Sequence, residues 1–580
     1  MARARAILPH QVAYHTQRYD LVEGLDPAPD GLPGHRGSFR YLYSDVEDFP
    51  LIDEIDLKLV ALAEAMVESE GQSESMDSSV PAIFTYFGQF IGHDVTAHTD
   101  RDFETSKIAD TPLHRLPREV VESKVRNLRR GTLDLNSLYG DGPGQTENVR
   151  RLERALREGA RMRLGVPLPV GSRPPLPRDN GADLPRIGAL ISDGAIDPDD
   201  LPEELRPVGP NAEQRKRLAL IGDGRNDENL VVAQLHVAFL RFHNEIIRAL
   251  SDGNGAEWDL EELFAAAKRQ VQWTYQWLVI NEFLPQVCDP AVLAFVLERE
   301  APIYRVFLER GQECGSRGAL PIPLEFSSAA YRFGHSMVRA SYDFNRNFGR
   351  PADDLESGHR AKLDQLFTFT GRGDNPIGGF GFTAIPENWL IEWDRFVRPS
   401  PDLDGRTARK INSQLARELD QMVNEGLNQS EPREIFKRLA LRNLRRGYNL
   451  NLPSAQALIA RMAADGHTIE RPLSADQLRN GRSGEALFEG GFLDQTPLWF
   501  YVLKEAEEQA DGEHLGELGS RLVAETLVGL VVNDRSSYWN ETNSCERWSP
   551  HDAVWPNDEP VTSLAKLLAA AGVLARETEP

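Results

Sequence analysis

The chain of 580 residues carries 65 Lys and Arg against 89 Asp and Glu, a formal net charge of −24 with the acid spread along its length. That balance argues against nucleic acid and anionic membrane surfaces as partners, and the composition is ordinary for a soluble globular protein. Its three cysteines, Cys288, Cys314 and Cys545, show no Cys-x-x-Cys spacing, which excludes a disulfide framework and a zinc ribbon.

The N-terminus is basic but has no apolar run, and no stretch is long enough to span a bilayer. A soluble, cytoplasmic and monomeric protein is expected, with signal-independent export as the other route; the sequons at Asn428 and Asn540 then carry little weight. Residues 1–75, with Pro27, Pro29, Pro33 and Pro50, read as an irregular arm packed on a main domain of residues 76–580, and they include a charged helix over 57–66. Residues 84–98 form an apolar helix carrying polar groups. On it Gln89 and His93 are four apart and share a face, while Asp94 lies about 100° further round.

Residues 127–140 form a short segment ending in a turn, and a helix opens near 148–153. From 165 to 226 the chain is rich in Pro, Gly and Asp, a length of loop that is usually functional or disordered. Val231, Leu235, Phe239, Phe242, Ile246 and Leu250 then repeat at helical spacing, so one face of that helix is buried. Further helices are expected at 260–283, 291–297, 327–339, 406–422, 432–444, 454–462 and 519–532. The predicted fold class is mainly α: a large single-domain helical fold with long irregular loops and little β. His236 and His243 share a helix face and read as structural, residues 197–201 as a solvated helix start, and residues 378–382 as a turn.

Three further pieces carry chemistry. His335 follows Gly334, whose missing side chain lets a flat ligand approach the backbone, and Arg332 stands one turn before it. Arg225 and Glu228 lie in the glycine-rich turn before the Val231 helix. Asn443 lies with Arg446 in a basic helical stretch. Singly, each has a structural explanation as a surface arginine, a helix-start acid or a helix amide.

Together and in this order they resemble the peroxidase–cyclooxygenase superfamily, the animal-type haem peroxidases, and especially its bacterial members. The match comprises Gln-x-x-x-His-Asp at 89–94, Leu-Asp-Leu-Asn-Ser-Leu-Tyr-Gly at 133–140, Arg-x-x-Glu at 225–228, Arg-Phe-Gly-His at 332–335, and Asn443 with Arg446. Weaker similarity at 496–499 and 524–529 extends it to about residue 540.

The resemblance implies haem b, with His335 as proximal iron ligand and the side-chain carbonyl of Asn443 as partner of its other nitrogen. It implies that Arg332 and Arg446 pair with propionates and that Glu228 forms one ester bond. Gly92 and Asn229 stand where relatives have further links to haem. On the distal side it makes His93 the general base and then acid, Arg225 the group that stabilises developing negative charge, and Gln89 the holder of water and small substrates. The expected substrates are hydrogen peroxide and a small reducing donor: bromide, iodide, thiocyanate or a phenol, in peroxide detoxification or oxidant production.

The family's calcium site maps onto Asp94, Thr132, Asp134 and Asn136, with Arg130 opposing it where a threonine is usual. Residues 447–451 also depart from the family's pattern. The alternatives are a haem-dependent fatty-acid dioxygenase, against which Arg332 stands where a tyrosine is needed with Tyr331 one residue off; a haem-binding protein without turnover; and a non-haem metallohydrolase using His93, Asp94 and His98.

Overall fold

The computed structural model describes residues 37–69, 76–97, 112–127, 129–140, 147–169, 181–209, 212–253, 258–310, 319–349, 360–371, 384–399, 405–422, 434–543 and 546–575. His98, Cys314, Asn428, Cys545 and the expected turn at 378–382 lie outside these residues. Within them the chain is mainly helical, and its strands are five residues or fewer. No helix among the described residues is long and apolar enough to cross a membrane.

Helix α1 (Ile55–Ala65) buries Leu59, Leu62 and Ala63. Helix α2 (Ile83–Val95) buries ten of its residues, Phe84, Phe87, Phe90 and Ile91 among them, because apolar side chains surround it and only an interior place satisfies them all. Helix α3 (Leu230–Gly253) and helix α4 (Leu260–Leu278) pack on it: Phe90 stacks on Phe239 with ring centroids 5.0 Å apart, and Tyr275 meets Phe87, Phe90 and Phe239 edge-on. Asp259 caps α4 by accepting from the Glu261 amide, and one π-turn, Val279–Phe283, follows. Helix α5 (Leu439–Asn449), helix α6 (Leu498–Ala510) and helix α7 (Glu517–Asn533) complete the centre, and every residue of α7 from Glu517 to Val531 is buried. One continuous apolar core runs from Phe39 to Leu574.

Short strands fix the approach to α2. Strand β1 (Gly37–Arg40) and strand β2 (Asp77–Pro81) precede it. Strand β3 (Arg126–Asn127) pairs antiparallel with β1, strand β4 (Ile322–Pro323) pairs parallel with β1, and strand β5 (Thr407–Arg409) pairs antiparallel with β2.

Three helix expectations are corrected. Residues 406–422 hold β5, a loop and a 3-10 turn at Arg417–Leu419 instead of a helix. There Arg409 is drawn into an ion pair with Glu68, and Asn412 Oδ1 accepts from the Gln414 amide, side-chain bonds that compete with helix formation. Residues 327–339 are a short helix at Leu324–Ser328 and a 3-10 helix at Ala330–His335, broken at Ala329 (φ −133°, ψ −77°). The expected helix at 432–444 begins at Leu439 and runs through Gly447 to Asn449. Helix α6 was not predicted: its apolar face merges with a run of aromatic residues that hides the period.

Gly529 lies where α7 crosses Tyr304. A Cβ there would come within 2.3 Å of the Tyr304 ring, and that ring cannot swing away cheaply because its hydroxyl donates to the Pro321 carbonyl at 2.7 Å. Gly529→Ala is expected to lower the urea-unfolding free energy by about 1–3 kcal/mol.

Candidate active site

Although α2 is an interior helix, Gly88, Gln89 and Gly92 on it retain partial exposure, and so do Tyr331, Gly334 and His335 on the 3-10 helix opposite. The two elements meet at these partly accessible positions. A Cβ at Gly334 would meet nothing within 4 Å, so the room expected beside His335 is present. The two elements are tied together where the Tyr331 hydroxyl donates to the Gly88 carbonyl at 3.0 Å; a Cβ at Gly92 would lie 3.3 Å from the Tyr331 ring.

His93 sits at the C-terminal end of α2, where helix carbonyls lack intrahelical partners. Arg129 Nε donates to the His93 carbonyl at 3.0 Å and Arg225 Nη2 at 2.7 Å, while Asn127 Nδ2 serves the Val95 carbonyl at 2.9 Å. Two cations thus sit at the negative end of the helix dipole. Both guanidiniums also grip the fully buried Asp223 carboxylate, which accepts from Arg225 Nη2 at 2.8 Å and forms an ion pair with Arg129. Arg225 Nη1 donates to the Thr96 carbonyl at 2.8 Å. Arg225 is therefore next to His93, as the resemblance implies, but as half of a clamp that holds the backbone of His93.

The imidazole of His93 is held separately. Its Nδ1 lies 2.8 Å from Asn226 Oδ1, and Asn226 Nδ2 lies 3.0 Å from His236 Nδ1. Gln89 Oε1 accepts from Asn229 Nδ2 at 3.1 Å, which turns the amide nitrogen of Gln89 the other way. Glu228 ends the 3-10 helix Gly224–Asp227 and is half-buried.

Around His335 the structure gathers Arg332, Arg442 and Arg446. Burial first, and then these three cations, push the imidazole well below the ordinary histidine pKa, so it is neutral at neutral pH. Asn443 is in place 2.9 Å from His335 Nδ1, but its amide nitrogen faces the ring and its carbonyl faces Arg332 Nη1 at 3.4 Å. The carbonyl partner implied by the resemblance requires the amide to turn over, which exchanges nitrogen and oxygen with little change of shape. Trp499 Nε1 donates to the Arg332 carbonyl at 3.2 Å and fixes this turn.

Asp94 faces the 134–137 loop. Its carboxylate accepts from the Leu135 amide at 3.0 Å and the Ser137 amide at 3.2 Å, and not from the ring of His93. Burial, and then Asp134 beside it, push its carboxyl pKa up. Arg130 reaches Asp134 at only 3.9 Å, while Asp134 Oδ1 and Ser137 Oγ have no hydrogen-bond partner among the described residues. Asp134 Oδ1, beside Asp94, is thus the one carboxylate oxygen of this pair left for a hard cation.

Sequence reasoning missed Asn127, Arg129, Asp223, Asn226 and Arg442, and it set His236 aside as structural. The signal available was position: Asn226 adjoins Arg225, and Asp223 precedes it by two residues. His243 does behave as read, bonded to the Tyr139 hydroxyl and the Ala160 carbonyl, both at 3.0 Å. Asp223→Ala would leave the two guanidiniums without their shared counter-charge; chemical denaturation is expected to show a loss of about 3–5 kcal/mol.

Residues 121–370 match the animal haem peroxidase family. A peroxidase-like protein from Margaritifera margaritifera is 33% identical over 187 residues, covering 31% of this chain and 22% of that protein. The chain spans about a fifth of the length of the first curated relatives it matches. Peroxidase A from Dictyostelium discoideum shares the fold with a TM-score of 0.56 and 17% identity, covering 93% of this chain and 94% of that one. A fatty acid alpha-dioxygenase from Oryza sativa has a TM-score of 0.50 and 14% identity, covering 98% and 89%. The family match covers residues 121–370, and the fold is shared across nearly the whole chain.

Proposed function

We propose that this chain is a haem peroxidase that reduces hydrogen peroxide to water while oxidising bromide, iodide, thiocyanate or a small phenolic donor. The observation that carries this reading is a pair of differently prepared histidines, one on α2 and one on the 3-10 helix that meets it at Tyr331. His93 has its Nδ1 held by Asn226, whereas His335 is held neutral amid three arginines.

When bound, haem supplies an iron at which the O–O bond breaks. His335 would ligate it through Nε2, Arg332 and Arg446 would meet its propionates, and Glu228 offers one carboxyl for an ester bond. His93 would take a proton from hydrogen peroxide at Nε2 and return it to the departing oxygen. The clamped Arg225 contributes a fixed positive charge beside that transfer. Gln89, with its carbonyl held by Asn229, offers its amide nitrogen, a donor suited to an anionic halide or pseudohalide. Residues 76–580 form the catalytic domain, with the preceding arm attached through β1 and α1.

A fatty-acid dioxygenase would need a tyrosine three residues before His335. Arg332 stands there, and the hydroxyl of Tyr331 is committed to the Gly88 carbonyl. The orientation of Asp94 away from His93 also disfavours the metallohydrolase reading.

Asp94, Thr132, Asp134 and Asn136 would hold calcium, with Arg130 displaced from Asp134. On this reading EGTA lowers the melting temperature and calcium restores it; at 100 times the dissociation constant the gain is about 2.7 kcal/mol. An unchanged melting temperature would remove calcium from the proposal. Reconstitution with haem should give a Soret band that shifts on adding one equivalent of hydrogen peroxide. In His335→Ala the band should be lost or rearranged, and in His93→Ala present with a response slowed by about 10²–10⁴-fold. A protein that stays colourless with ample haem would overturn the reading.

A further inference from the structure

An amide side chain has one accepting end and one donating end. Asn226 lies between the Nδ1 atoms of two imidazoles, at 2.8 Å from His93 and 3.0 Å from His236, and all three residues are buried. Whichever ring faces the oxygen must carry its proton on Nδ1, and the ring facing the nitrogen must carry a lone pair there. The tautomers of the two histidines are thereby linked through one side chain.

Burial holds His236 neutral, lowering its pKa to about 3, so one ring nitrogen carries a lone pair, and with Asn226 Nδ2 facing Nδ1 that nitrogen is Nδ1. Its Nε2 has no hydrogen-bond partner among the described residues, and its ring meets that of Phe90 nearly perpendicularly, with centroids 6.1 Å apart. Phe90 is itself stacked on Phe239, so the His236 ring is held in place by the packing of α2 on α3.

We propose that Asn226 and His236 are positioning residues that lock His93 in the tautomer with its proton on Nδ1, leaving Nε2 as the basic nitrogen. His236 acts from behind: by accepting at Nδ1 it keeps the Asn226 carbonyl turned towards His93. The catalytic consequence rests on the peroxidase reading above, but the lock itself rests only on the three side chains.

The test is two-bond ¹H–¹⁵N spectroscopy of the haem-free full chain labelled with [¹⁵N]histidine, with signals assigned through His93→Gln and His236→Phe. The expected result is a single Nδ1–H tautomer for His93 and a single Nε2–H tautomer for His236. In Asn226→Leu, His93 should become a mixture of both tautomers. In Asn226→Asp, which keeps the volume and offers only acceptors, His93 should stay Nδ1–H while His236 moves its proton to Nδ1. A wild-type His93 protonated at Nε2 or already mixed, or an Asn226→Asp chain in which His236 does not change, would overturn the lock. With haem added, Asn226→Leu should respond to hydrogen peroxide about 10–100-fold more slowly than wild type with the same Soret band. Failure of every chain, wild type included, to develop a Soret band would overturn the peroxidase reading, while the haem-free spectra would still decide whether the lock exists.

Discussion

The site depends on one buried carboxylate. Asp223 has no exposure and is gripped by Arg129 and Arg225, the arrangement in which an interior charge is tolerable. Both guanidiniums have donors left for the carbonyl of His93. The clamp therefore joins three separate stretches of chain: the end of α2, the loop after β3, and the turn that starts α3. It also answers the cost of ending an apolar helix inside the protein, because the carbonyls at the end of α2 receive side-chain donors in place of water.

Placing a histidine at such a helix end has a chemical effect. Its backbone is immobilised from one side by cations and its ring from another by Asn226, so neither can relax independently. At His335 the logic is reversed. His335 lies on a 3-10 turn with neutral partners at its ring and positive charge around it, an environment that disfavours protonation and welcomes an anionic ligand edge. The two histidines thus sit in oppositely arranged surroundings, one ring tied by an amide at a helix end and the other kept neutral among arginines.

Much of this was legible in the chain itself. The period of Val231, Leu235, Phe239 and Phe242 specified α3, and the polar residues set in the apolar 84–98 stretch singled out His93 and Gln89. The region after Arg406 was misread because Ile411, Leu415, Leu419 and Met422 repeat at helical spacing, whereas pairing with β2 and the ion pair to Glu68 lie more than 300 residues away in sequence. The 327–339 segment failed for a similar reason. Its side chains favour helix, but Tyr331 must meet α2 and Trp499 must reach the Arg332 carbonyl, and only a tighter turn allows both.

What the sequence determined was identity and spacing: an interior helix bearing His93, a glycine beside His335, and an arginine three residues before Glu228. These are local properties, carried by side-chain period and by neighbours within a turn. The tertiary structure decided partnership and orientation. That Arg225 holds the backbone of His93, that Asn226 stands between two imidazoles, that Asn443 turns its nitrogen to His335, and that Asp94 faces the 134–137 loop are facts about the directions of hydrogen bonds between distant segments. Hydrogen bonds are short and directional, so a sequence that names the donors and acceptors leaves open which of them meet until the chain has packed.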